Sequence, residues 1–293
     1  MQRKKFIQTL AALPLMTIDS LSSLENFASN QASGQTMPTI FIGHGSPMNA
    51  IEENEFVTGF KNSVKNIPTP KAIICISAHW YTKGTKVTAM EMPTTIHDFY
   101  GFPQALFNVQ YPAKGDPKLA RETQKLLEPT LVELDEKWGL DHGAWSVLKH
   151  LYPKADVPVI QLSIDFSKDP MWHYNFAKQL KSLRNKGILI LGSGNIIHNL
   201  GLADFAKINQ IGFGFDWAHE AHHSLNSYIL KEDIKALANY QLGSQALKLA
   251  VPTPEHYLPL LYILALKNDK EELSFFNDKL LAGSLSMTSF KIS

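Results

Sequence analysis

The chain has 293 residues, 44% of them hydrophobic and 19% charged, with a net charge of +1. That profile fits a soluble globular protein with a sizeable core. Near-neutral charge without a long basic stretch excludes a nucleic-acid surface, and the single cysteine, Cys75, excludes an intramolecular disulfide. In chain order, Arg3-Lys4-Lys5-Phe6-Ile7-Gln8 comes first, then a weakly apolar stretch, Thr9 to Ile18, and a Ser/Asn-rich run, Asp19 to Gln35. A charged start, a short apolar middle and a polar tail are the layout of an export signal. Arg3-Lys4-x-Phe6-Ile7 resembles a twin-arginine signal with Lys in the second place. Residues 1–36 are therefore expected to be a signal or extension, with export to the periplasm. The alternative is a cytoplasmic chain that keeps its extension. Nothing else approaches the length of a transmembrane helix.

Residues 37–293 are expected to fold as one domain. Short β-type runs predict buried strands at Thr39–Gly43, Ala72–Ser77, Val157–Ile164 and Ile188–Gly192, with Cys75 interior to the second. Asp116-Pro117 opens a helix with Leu119, Leu126 and Leu127 on its apolar stripe. Further helices are expected at Pro170–Leu183, Asp216–Lys231 and Pro254–Lys267, and Ser286–Ile292 reads as a closing strand. Strands alternating with helices imply an α/β domain with a central mixed or mainly parallel sheet flanked by helices. In such sheets ligands bind beyond the carboxyl ends of the strands.

Those positions repeatedly hold histidine. Thr39–Ile42 runs into Gly43-His44-Gly45-Ser46-Pro47, Ala72–Ser77 into Ala78-His79-Trp80, and Ile188–Leu191 into Gly192-Ser193-Gly194-Asn195-Ile196-Ile197-His198. One such histidine is ordinarily a hydrogen-bonded structural residue. Three at equivalent places would converge over one edge of the sheet, where neutral imidazoles suit Fe, Zn, Cu or Ni. A fourth candidate is Glu255-His256, expected on the first turn of a helix opened by Pro254. There Glu255 would complement the helix dipole, whereas a protonated His256 would oppose it and a neutral, metal-bound one would not. His142, in Gly139-Leu140-Asp141-His142-Gly143-Ala144-Trp145, and His97, in Ile96-His97-Asp98-Phe99-Tyr100-Gly101-Phe102-Pro103, are placed in loops. These aromatic-rich loops could wall a flat substrate or simply cover the sheet.

His219-Glu220-Ala221-His222-His223 satisfies the H-E-x-x-H pattern of zinc peptidases. Its bland alternative is a polar helix face, and a peptidase site would need a third ligand besides. A serine hydrolase is disfavoured, because no Gly-x-Ser-x-Gly elbow is present.

Six segments together resemble the class III extradiol ring-cleavage dioxygenases: Gly43–Asn49, Ser77–Trp80, Asp98–Pro103, Gly139–Trp145, Gly192–Leu200 and Thr253–Leu260. The nearest branch is that of the bacterial 4,5-DOPA extradiol dioxygenases, and the likeness runs from Met37 to the C-terminus. It implies one divalent metal, Fe(II) for activity. Zn(II) would fit the same nitrogen ligands but cannot activate O₂ by redox chemistry. It implies His44 and His79 as metal ligands and His256, rather than Glu255, as the third. His198 corresponds to either a further ligand or the acid/base, and His142 to a group that contacts substrate or oxygen. His97, Tyr100, Phe102 and Trp145 become candidate substrate-binding residues. The expected reaction opens a catechol with O₂ outside its two hydroxyls, giving a muconic semialdehyde. A metal-binding protein of the same fold without that activity is the alternative.

Overall fold

The computed structural model describes residues 36–293. The expected leader falls almost wholly outside the described residues. A six-stranded sheet organises the rest. Its strands are β1 (Thr39–Gly43), β2 (Ala72–Ser77), β3 (Val159–Gln161), β4 (Ile188–Gly194), β5 (Leu273–Phe276) and β6 (Ser289–Ile292), in the spatial order β3-β2-β4-β1-β6-β5. β3, β2, β4 and β1 run parallel, and β6 and β5 add antiparallel at one edge. The mixed, mainly parallel sheet with flanking helices is the expected architecture.

Alternation along the strands divides the core between two faces. Phe41, Ile74, Ile76 and Ile190 point to one face. There they meet α2 (Pro117–Leu126), α4 (Pro170–Ala177), α5 (Asp216–Leu230) and α6 (Leu258–Leu264). Ile40, Ile42, Ile73, Cys75, Leu189 and Leu191 point to the other, against α1 (Glu55–Ser63) and α3 (His142–Leu151). Burial on both faces explains why these strands read as unbroken apolar runs. Each such side chain contributes about 1.5–3 kcal/mol on burial.

Several boundaries differ from expectation. The Val157–Ile164 run leaves the sheet after Gln161. The amide of Ser163 turns to Lys86, and Ile164–Asp165 pairs with Tyr81–Thr82 in a separate small sheet. The expected helix at Pro170–Leu183 is interrupted by a 3₁₀ turn at Lys178–Leu180. The closing strand divides at Met287-Thr288, since Leu285–Ser286 pairs with Leu280–Leu281 instead. His142 is not in a loop. It is the first residue of α3, capped by the Asp141 side chain, which accepts from the Ala144 amide. Glu255 and His256 lie in the turn before α6, not on its first turn. Pro254 closes that turn through its carbonyl, and Pro259 is the proline in the first helical turn. The helix-dipole argument for this pair therefore does not apply.

Candidate metal centre

Register brings the first two histidines together. Gly43 of β1 is level with Gly194 of β4, and Ser77 of β2 is level with Ser193. The parallel strands thus end side by side. Beyond them the amides of His44 and Ala78 donate to the carbonyls of Gly194 and Ser193, at 3.0 and 2.9 Å. These bonds fix the backbone from which both imidazoles project. The third histidine arrives from the turn before α6, where the Asn195 amide donates to the His256 carbonyl at 2.8 Å. A Cβ on Gly194 would lie 2.1 Å from that same carbonyl, so the close approach requires glycine. One donor atom each from His44, His79 and His256 lies within 4.8 Å of the others.

Hydrogen bonds determine which ring nitrogens are free. Ser193 donates its hydroxyl hydrogen to the Gly143 carbonyl at 2.6 Å, so it must accept from His44 Nδ1 at 3.0 Å. Asp98 Oδ2 stands 3.2 Å from His79 Nδ1, and Glu255 Oε1 stands 3.3 Å from His256 Nδ1. Glu255 accepts from His256 Nδ1; the Asp98–His79 pair is out of line for a hydrogen bond, but the carboxylate charge beside His79 Nδ1 favours the hydrogen there, so each neutral ring keeps a lone pair on Nε2. His44 Nε2 and His79 Nε2 face each other at 3.2 Å. With no hydrogen between them, two lone pairs at that distance suit a shared cation. Ligands about 2.1 Å from one metal stand roughly 3.0–3.4 Å apart. Burial pushes the proton affinity of His44 and His256 well below the ordinary histidine value. Burial, with His142 nearby, takes His79 down to about 3. All three are neutral at pH 7, as metal ligands must be.

Two further histidines complete the cluster. The His142 ring is 3.8 Å from that of His79, centroid to centroid. Its backbone amide donates to Asp98 Oδ1 at 2.8 Å. Its Nδ1 is 3.0 Å from the same oxygen, out of line for a hydrogen bond, and is otherwise unpartnered. His198 stacks flat on His256 and is lowered to about 4 by burial, against the opposing pull of Glu255. Stacked rings have parallel planes, so a metal in the plane of His256 lies outside that of His198. His198, Glu255 and His256 do bring one donor atom each within 4.8 Å of the others, so proximity alone leaves both roles of His198 open.

The aromatic candidates divide. Phe102 packs on Phe99, and Phe99 stands edge-on to His142 with centroids 5.5 Å apart. Tyr100, 92% exposed, stands at the tip of the loop. Trp145 is fully buried and donates its indole N–H to the Ile96 carbonyl, so it supports the loop from within rather than facing a ligand. His97 turns the same way, with Nε2 on the Val109 carbonyl and its ring against Phe99, Phe107 and Trp145. The residue overlooked in that motif is its neighbour Asp98. Asp141 was overlooked too. It is fully buried, holding Ser77 Oγ at 2.6 Å and Gln161 Nε2 at 2.7 Å beneath the histidines. Its signal was a helix-capping Asp directly before His142-Gly143.

The H-E-x-x-H segment lies on α5, where His219, Glu220 and His223 are exposed. His222 alone is tied in, with Nε2 on Asp278 Oδ1 at 2.7 Å. Among the described residues, none of these four belongs to a group able to hold a metal.

The profile of the catalytic LigB subunit of aromatic ring-opening dioxygenase matches residues 38–274. The chain belongs to the LigB family. It is 44% identical over 268 residues to the 4,5-DOPA dioxygenase extradiol of Escherichia coli K12, covering 89% of this chain and 96% of that one. The Beta vulgaris protein of the same name is 34% identical over 260 residues, covering 86% and 95%. A crystal structure of an uncharacterized Escherichia coli K12 protein superposes with a TM-score of 0.74 at 40% identity, covering 88% of this chain and all of that one. This LigB-family chain is thus a ring-opening extradiol dioxygenase. Dioxygenases of that family are metal-dependent, and the histidine cluster gives this chain a set of groups that could bind a metal. No helix among the described residues is long and apolar enough to cross a membrane.

Proposed function

We propose that this LigB-family enzyme opens a catechol of the 4,5-DOPA type with O₂, outside the two hydroxyls, to a muconic semialdehyde. The observation that carries the reading is the set of three imidazoles, each with an oxygen within 3.3 Å of Nδ1 and with one donor atom each within 4.8 Å of the others. His44, His79 and His256 would hold one Fe(II). Bound there, Fe(II) supplies the Lewis acid and redox partner that let O₂ react with a catecholate ring. Glu255 is the group that orients His256, since its Oε1 accepts from His256 Nδ1 at 3.3 Å and is itself held by Thr253 Oγ1 at 2.8 Å. His198 is neutral at pH 7 and takes a phenolic proton on an imidazole nitrogen, returning it as the ring opens. His142 keeps Nδ1 beside Asp98 and presents Nε2 to substrate or oxygen. Phe99 and Phe102 form an apolar wall for the flat ring, and Tyr100 stands at its rim.

The substrate assignment rests on the relatives' names. It is tested by loading the protein with Fe(II) without oxygen, then following O₂ uptake and product absorbance with DOPA and a panel of other catechols. Uptake with DOPA and a yellow semialdehyde product support the reading. O₂ uptake only with other catechols would replace the substrate.

A further inference from the structure

One carboxylate serves two of these histidines. Asp98 reaches the cluster from the loop before Phe99, with its side chain 19% exposed. Oδ2 faces His79 Nδ1 at 3.2 Å, and Oδ1 accepts the first amide of α3, that of His142, at 2.8 Å. The two oxygens are therefore committed to different partners. The helix amide fixes the carboxylate, and the carboxylate places its negative charge beside His79 Nδ1. Gly143 lets the two sides close up, since a Cβ there would lie 2.8 Å from His79 Cδ2 and 2.4 Å from Ser77 Oγ. His44 and His256 rely instead on Ser193 and Glu255, neither of which engages the amide of His142.

We propose that Asp98 is a positioning residue that sets the tautomer of His79, holding the hydrogen on Nδ1 so that Nε2 is free for the metal, while anchoring the start of the helix that carries His142. The inference rests on His79 being a metal ligand. It follows from the charge that Asp98 places beside Nδ1 rather than from shape, and this gives it an unusual consequence. Asn at position 98 is nearly isosteric with Asp. Its one amide oxygen would accept from the His142 amide as before, leaving its NH₂ group facing His79 Nδ1. Two donors cannot pair, so the His79 ring satisfies the NH₂ by moving its hydrogen to Nε2. That blocks the lone pair the metal needs. Ala at position 98 removes the acceptor but imposes no tautomer, and a water can stand in for the lost oxygen.

The test is Zn(II) affinity of the full, metal-stripped chain, measured by competition with a chromophoric chelator, for Asp98→Asn, Asp98→Ala and His79→Ala. Loss of an orienting partner weakens metal binding by roughly 10–100-fold. Asp98→Ala is expected at the low end of that range and Asp98→Asn at or beyond its high end, although the Asn variant melts no lower than the Ala variant. A merely structural Asp98 gives the reverse order, with Asn the milder change, and overturns the proposal. So does Asn binding Zn(II) like the wild type. Nitrogen-15 spectra of the metal-free wild-type chain give a reading that needs no variant to fold. His79 must carry its hydrogen on Nδ1, and an Nε2-protonated ring refutes the proposal. Unchanged Zn(II) binding in His79→Ala would instead overturn the ligand assignment on which the proposal rests. None of these measurements depends on turnover, so they stand apart from the ring-opening reading.

Discussion

The imidazole of His198 lies face to face on that of His256, with centroids 3.6 Å apart and planes 9° from parallel. Coordination requires a metal near the plane of each ring, and these planes do not converge on a common point. His198→Ala should therefore keep its metal and lose turnover, by roughly 10²–10⁴-fold for a missing acid/base. His256→Ala should lose the metal itself. Metal content after dialysis, set beside O₂ uptake under excess Fe(II), separates the two outcomes. Metal loss in His198→Ala would make it a ligand.

Gly194→Ala forces a Cβ to within 2.1 Å of the His256 carbonyl. Backbone cannot give way as a flexible side chain would, so the turn carrying His256 must shift. The expected result is destabilisation of about 1–3 kcal/mol together with weakened Zn(II) binding. Gly201→Ala is the control, because its Cβ meets only Asn199 Oδ1, at 3.5 Å. Thermal melts and metal titration of both variants should separate them clearly; equal behaviour would contradict the packing described.

Arg184 is a fully buried cation whose Nε donates to the Met37 carbonyl and whose Nη atoms pair with Glu271. Glu271→Ala leaves that charge without its counter-ion and should cost up to about 3 kcal/mol, read as a lower melting temperature. Burial raises the Glu271 carboxyl, but hydrogen bonds from Arg184 and the Asn268 amide more than offset this and hold it below the usual range. The pair's contribution is thus present above the unfolded carboxyl value and fades as pH falls through the lowered folded one. A melting-temperature gap between wild type and variant that stays constant down to pH 2 would contradict this.

His173 is buried beneath α6, with Nδ1 on the Tyr262 hydroxyl at 2.8 Å and Nε2 on the Asp165 carbonyl at 3.2 Å. Burial lowers it from 6.5 to about 4. Between those values the unfolded chain binds the extra proton and the folded one does not, so stability falls as pH drops below 6.5. The shift corresponds to on the order of 3 kcal/mol across that window. Chemical denaturation at pH 7.5 and 5.0 should show wild type losing more stability than His173→Gln. An equal loss would place the acid sensitivity elsewhere.

The strand-end histidines were legible because parallel strands buried on both faces announce themselves as apolar runs, and whatever follows them lies at one edge of the sheet. His44, His79 and His198 were found by that rule, and β1, β2 and the body of β4 fell where the runs placed them. Glu255-His256 was found from an argument about a helix that begins later than expected. Chain order carries no such rule for side chains that turn inward from a loop.

What the sequence by itself determined was the fold class and the convergence of histidines, since both follow from periodicity and from the common direction of parallel strands. Only the tertiary structure decided which neighbour in His97-Asp98 faces the cluster, that Trp145 lies fully inside, and that the H-E-x-x-H histidines of α5 stand apart from any metal-capable group. It also decided that His198 stacks on His256. The physical reason is that these outcomes depend on packing between segments far apart in the chain. Asp98 meets the amide of His142 44 residues on, and Ser193 meets His44 149 residues back. Local pattern fixes where a side chain starts; the partner that holds its hydrogen, and so fixes its chemistry, comes from elsewhere in the fold.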